Sequence, residues 1–206
     1  AQLGNSGVLV VGGVQSQLAL AGNLDLSGST SLLAALSPNA YSTASLTIGG
    51  AFSVQTGSST YFSGTLAANT INNAGGTIRG NGTLDATGSA SITNTGTIEA
   101  VADFTLGSQR LVVADNLTGA GTLTIDAGAT LVLNGTVDTQ TVDFVANSAT
   151  QLARYPYSPS TLVLKDPGNF TASTINGFTF ADRLVLENVT LAGAPTYAGG
   201  VLTVNQ

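Results

Sequence analysis

The chain has 206 residues, enough for one domain with a sizeable core, and only 8% of them are charged, against a usual ~25%. Net charge is −6, and the five bases, Arg79, Arg110, Arg154, Lys165 and Arg183, are scattered, which excludes a patch that neutralises nucleic-acid phosphates or an anionic membrane surface. With no Cys and no His, disulfides, thiol nucleophiles, Ser-His-Asp triads and His-type zinc sites are excluded too.

The polar surface must therefore be built from Thr, Ser, Asn and Gly. Thr fits a pleated surface, and Gly and Asn accept the positive φ of tight turns, so the composition favours short strands over disorder. The absence of Met means that no initiator residue is present. It is expected that the chain is a processed piece, its start at Ala1-Gln2 following a signal-peptidase cut. No apolar run reaches the ~18 residues of a spanning helix.

In residues 1–29, Val8-Leu9-Val10-Val11, Leu18-Ala19-Leu20 and Leu24-Asp25-Leu26 read as strands, with Gly22 and Gly28 as punctuation. Residues 30–37 differ: Leu32, Leu33 and Leu36 lie at helical spacing, Thr30 or Ser31 is a candidate cap, and Pro38 ends the run. The spacing predicts a short helix over 30–37; a buried apolar strand is the other reading. Strands resume over 41–72, around Leu46-Thr47-Ile48, Phe52-Ser53-Val54 and Tyr61-Phe62.

Residues 73–139 are the most regular. A Gly-Thr-apolar phrase begins at Gly76, Gly82, Gly96, Gly121 and Gly135, and residues 80–100 align without gaps to 119–139. A second phrase, Leu-Val-apolar, begins at Leu111, Leu131, Leu162 and Leu184. Self-similarity at about 20 residues, in strand-length pieces, is the mark of a solenoid. A coil of short strands on three faces buries its apolar positions only by stacking, and about ten coils at ~4.8 Å each would make a rod about 50 Å long.

Residues 140–161 break the period. The surplus falls in 152–160, where Pro156 and Pro159 preclude a central strand, so a projecting loop is expected, with Tyr155 and Tyr157 as candidate ligand or assembly contacts. Aligning Leu162-Val163-Leu164 with Leu184-Val185-Leu186 puts Lys165 beside Glu187 on the next coil, an expected inter-coil ion pair at about 5 Å. The closing phrase Val201-Leu202-Thr203-Val204 reads as a further strand, a candidate for stacking at the rod's end.

The reading is all-β: a single domain over 1–206 folded as a right-handed parallel β-helix. An antiparallel β-sandwich is the alternative, because short strands every 8–12 residues suit that too. The 80–139 duplication resembles the passenger regions of Gram-negative autotransporters and two-partner-secreted adhesins, which use the same G-x-G-T-L and N-x-G-T-I vocabulary. The closing segment resembles a recurring unit of long alphaproteobacterial surface proteins, L-x-D-P-x-x-F-x-G-x-I-x-G-F followed by D-x-L-x-L. Leu164, Asp166, Pro167, Phe170, Ile175, Gly177, Phe178, Asp182, Leu184 and Leu186 match, and Thr171-Ala172 stands where the unit has Thr-Gly.

These resemblances imply export to the cell surface and a structural or adhesive role, and they bring no catalytic residue, metal or cofactor. The eleven acids are spread thinly, which speaks against the clustered carboxylates of β-helical polysaccharide enzymes. Ice-binding solenoids use flat Thr ladders, and Thr-x-Thr pairs are few here. The expected function is a non-enzymatic extracellular scaffold that self-associates by end-to-end or edge stacking. A glycan- or host-binding adhesin is the alternative, and a polysaccharide-active enzyme the second.

Overall fold

The computed structural model describes residues 2–3, 8–12, 16–28, 31–36, 44–88, 91–102, 109–145, 159–190, 192–194, 196–198 and 201–203. The chain opens with β1 (Gln2–Leu3), β2 (Val8–Gly12), β3 (Gln17–Leu20), β4 (Leu24–Leu26) and β5 (Ser31–Leu36). Three long strands follow, β6 (Ser45–Gln55), β7 (Ser59–Ala74) and β8 (Thr77–Ala86). Then come β9 (Ser91–Asn94), β10 (Thr97–Ala100), β11 (Arg110–Val113), β12 (Asn116–Thr118), β13 (Thr122–Ile125), β14 (Thr130–Leu133), β15 (Val137–Asp138) and β16 (Thr141–Phe144). The last are β17 (Thr161–Leu164), β18 (Phe170–Thr171), β19 (Thr174–Asn176), β20 (Arg183–Leu186), β21 (Thr196–Ala198) and β22 (Val201–Thr203).

β1 to β20 form one sheet in which every pairing of named strands is parallel, the arrangement of a β-solenoid and not of a sandwich. The strands stack in three columns. The first runs β2, β5, the starts of β7 and β8, then β10, β13, β16 and β19. The second runs β3, the start of β6, the middle of β7, the end of β8, then β11, β14, β17 and β20. The third runs β1, β4, the ends of β6 and β7, then β9, β12, β15 and β18. Each column holds eight segments among the described residues, fewer than the ten or so that a uniform period predicts, because the coils are unequal: the first column steps from Thr122 to Thr141 and then from Thr141 to Thr174.

Alternation along each strand makes the core. Ile78, Ile98, Leu123 and Val142 stack inward in the first column, Leu84, Val113, Leu133 and Leu164 in the second, and Phe52, Ile71, Ile92 and Leu117 in the third, all buried. Each such side chain contributes on the order of 2 kcal/mol relative to exposure.

The Leu-Val phrases stack in register, Leu111 on Leu131 on Leu162 on Leu184. The gapless alignment of 80–100 with 119–139 does not describe stacked neighbours. Ile92 lies against Leu117 in the third column, whereas Leu131 belongs to the second. The Gly-Thr phrases likewise fall in different columns: Thr77, Thr97 and Thr122 in the first, Thr83 in the second, Val137 in the third.

Residues 31–36 are a strand and not the expected helix. β5 has parallel partners on both sides, β2 and β7, and a six-residue segment gains more from two ladders than from an isolated helical turn with its costly nucleus. Thr30 and Ser37 lie outside the described residues. The C-terminal phrase is a strand over Val201–Thr203, as expected. β22 pairs antiparallel with β21 in a separate two-stranded sheet and is not a rung. Ala198 pairs with Val201, and residues 199–200 lie outside the described residues. Val204 lies outside the described residues.

A polar stack runs inside the third column. Asn73 and Asn94 are fully buried and share an inward column with Val54. Asn73 Nδ2 donates to Asn94 Oδ1 at 2.7 Å, and Asn94 Nδ2 donates to Gln140 Oε1 at 2.8 Å. The same amides reach the carbonyls of Thr97 (3.0 Å) and Thr122 (3.4 Å). The glycines before those threonines are needed for the backbone of the preceding rung and for the amides: a Cβ at Gly96 would stand 2.2 Å from Gly76 O and 2.9 Å from Asn73 Nδ2, and one at Gly121 2.3 Å from Asn94 Nδ2 and 2.7 Å from Gly96 O. Asn94→Ala should take one hydrogen bond each from buried Asn73 and Gln140 and lower stability by about 1–3 kcal/mol, read from the midpoint of urea unfolding; Gly121→Val should cost more, since it collides with the same amide.

Candidate functional site

The solenoid ends on the rung β18, β19 and β20. Among the described residues, these strands pair only with the rung before, β15, β16 and β17. Their inward residues Phe170, Ile175, Leu184 and Leu186 pack on the core but are only half-buried, whereas Val137, Val142, Leu162 and Leu164 one rung earlier are buried. Beside this end, Phe178 is 49% and Phe180 fully exposed, and the Phe178 ring meets Phe144 edge-on with centroids 5.3 Å apart. Val145, next to Phe144, is exposed as well. The end is thus an uncovered apolar surface bordered by unpaired strand edges.

Of the expected contacts, Lys165 and Glu187 are brought together: Lys165 Nζ donates to Glu187 Oε2, with both side chains about a third exposed. Tyr155 and Tyr157 lie outside the described residues. Of the 152–160 segment only Pro159 and Ser160 are described, and Ser160 is fully buried in the rod, its Oγ accepting from Gly128 N at 3.1 Å and its carbonyl from Arg183 N at 2.9 Å. Val201 and Leu202 sit in the hairpin.

Two features escape the sequence reading. The first is a hydroxyl ladder on the outer face of the first column, which persists through Ser31, Ser59, Thr77, Thr97, Thr122, Thr141 and Thr174. Thr-x-Thr pairs were the wrong signal for it, because one hydroxyl per rung suffices when coils stack in register. The neighbouring outward column holds Tyr61, Arg79, Glu99, Thr124, Asp143 and Asn176, which is not a second hydroxyl row.

The second is a set of carboxyl pairs. Arg79 Nη2 donates to Glu99 Oε1 at 2.9 Å, and Asp126, just past β13 on the next rung, is near enough to act on Glu99 electrostatically. Asp115 accepts from Ala86 N at 2.5 Å, which brings its carboxylate near Asp85. Burial holds Asp85, Glu99 and Asp126 above the usual carboxylate range. Asp115 pushes Asp85 further up, and Asp126 does the same to Glu99, whereas Arg79 pulls Glu99 and Asp126 back down. Among the described residues no group of three or more acids could hold a metal ion, and no helix is long and apolar enough to cross a membrane.

No protein-family model, no curated protein and no solved structure matches the chain.

Because the Lys165–Glu187 pair is partly exposed, a double-mutant cycle to alanine should give a coupling below about 1 kcal/mol that shrinks in high salt. Arg79→Gln should lower neutral-pH stability by about 1 kcal/mol. The loss should be smaller in acid, where Glu99 and Asp126 carry protons, as thermal unfolding at a series of pH values would show.

Proposed function

We propose that this chain is a non-enzymatic structural protein of the bacterial cell surface, a right-handed β-helical rod that self-associates through its ends into a fibre, matrix or surface assembly. The observation that carries this reading is the uncovered rung β18–β20, with Phe170, Ile175, Leu184 and Leu186 half-exposed and Phe178 and Phe180 beside it. The right hand follows from the strong preference of parallel crossover connections. At the other end β1, β2 and β3 have partners on one side only among the described residues, so the two ends offer unlike edges of the same parallel ladders. Contact between unlike surfaces does not close on itself and propagates as a filament.

Export and surface location are supported by the resemblance to autotransporter passengers and by a surface of short neutral polar groups. A sequence without His or Cys, with its eleven acids spread thinly, supports a role without catalysis.

Sedimentation velocity and negative-stain microscopy of the purified chain test the reading. Concentration-dependent oligomers and rods longer than one chain are expected, and Phe178→Ser with Phe180→Ser should shift the population to monomer without changing the β circular-dichroism spectrum. A chain that stays monomeric at all concentrations overturns it. A glycan-array signal from that monomer would favour the adhesin, and release of reducing sugar from a polysaccharide the enzyme.

A further inference from the structure

The second column is open at both ends in the same way. Among the described residues, β3 pairs with β6 alone and β20 with β17 alone. Both strands are four residues long and read polar-Leu-x-Leu: Gln17-Leu18-Ala19-Leu20 and Arg183-Leu184-Val185-Leu186. Leu18, Leu20, Leu184 and Leu186 pack on the core yet are only half-buried, whereas Leu46, Ile48, Leu162 and Leu164, one rung further in, are buried. Gln17, Ala19 and Val185 alternate with these leucines and take the outward positions, as does Arg183.

The backbone phases match as well. In a parallel ladder successive residues send their N–H and C=O groups alternately to one neighbouring strand and the other. The amides of Arg183 and Glu187 bond Ser160 and Leu164 of the rung before, so those of Leu184 and Leu186 point out of the open end. At the other end Ser45 N bonds Ser16 O, which leaves the backbone groups of Gln17 and Ala19 directed away from β6. A strand laid on β20 with Ala19 opposite Val185 therefore donates from Ala19 N to Leu184 O and accepts at Ala19 O from Leu186 N.

Building on the reading that the rods associate through their ends, we infer that the joint contains one parallel strand pairing, β20 of one copy with β3 of the next. Its register is Arg183 on Gln17, Leu184 on Leu18, Val185 on Ala19 and Leu186 on Leu20. This repeats the four-residue pairing that joins β11 to β14, β14 to β17 and β17 to β20. Both leucines of each end are then covered by leucines of the other. A slip of one residue turns one set of leucines outward and leaves the edge groups out of phase. A slip of two residues continues the side-chain row that leads from Leu18 through Leu84 and Leu133 to Leu186. It sets Leu186 on Leu18 but puts Leu184 against Ser16 and Leu20 against Asn188, so half of the apolar match is lost.

Disulfide trapping tests the register, because the chain has no cysteine of its own and its two ends cannot meet within one rod. Ala19→Cys with Val185→Cys places two outward positions opposite each other, about 4.8 Å apart and within reach of a disulfide. Gln17→Cys with Val185→Cys reads the two-residue slip; in the proposed register its Cα atoms stand about 8 Å apart, too far to link. Each variant is oxidised with glutathione disulfide at a concentration where sedimentation shows oligomers. The Ala19 variant should give a ladder of linked chains on a non-reducing gel, and the Gln17 variant should stay unlinked. Oligomers in which the Gln17 variant links as well or better, or in which neither links, overturn the register and leave self-association standing. A monomer at all concentrations overturns both. Should Ala19→Cys with Val185→Cys fail to fold, Gln17→Cys with Arg183→Cys, exposed at both positions, reads the same register.

Discussion

The structure rests on in-register parallel pairing between successive coils. A strand of three or four residues has no stability by itself; its N–H and C=O groups are satisfied only by the coil before and the coil after. Thr97 N bonds Gly76 O, Thr122 N bonds Gly96 O, and Thr141 N bonds Gly121 O, so one register is handed from rung to rung. Because side chains alternate, a slip of one residue would turn every Leu and Ile outward. Burial therefore fixes the register and the register fixes which residues become neighbours.

That constraint explains the sparse charge. An outward residue in a parallel column has its counterparts about 4.8 Å away on both sides. A repeat that carried the same charge would repel itself along the whole rod, whereas Ser, Thr and Asn stack without penalty and bond one another. Ionic residues are tolerated where the column supplies an opposite partner, as Arg79 does for Glu99 and Lys165 for Glu187.

The same logic reaches the interior. An Asn in a hydrocarbon core is costly unless paired, and stacking gives each amide the one above it. Asn73, Asn94 and Gln140 form such a chain, and the glycine at 121 makes room for it. At the rung β18–β20 the constraint has no further partner among the described residues, which leaves half-buried apolar side chains beside strand edges.

Periodicity and composition alone determined the all-β class, the parallel stacking of Leu111, Leu131, Leu162 and Leu184, and the meeting of Lys165 with Glu187, because these follow from local alternation and a matched phrase. Tertiary structure decided the rest. The six residues of β5 read equally as a turn of helix until β2 and β7 flank them. The copies in 80–100 and 119–139 look like stacked repeats, but coils of unequal length put them on different columns. For the same reason Arg79 meets Glu99 and Asn94 meets Gln140, contacts that no fixed spacing encodes. A sequence states what each strand can pair with; how many residues each turn takes up, settled only when the coils close, states which pairs form.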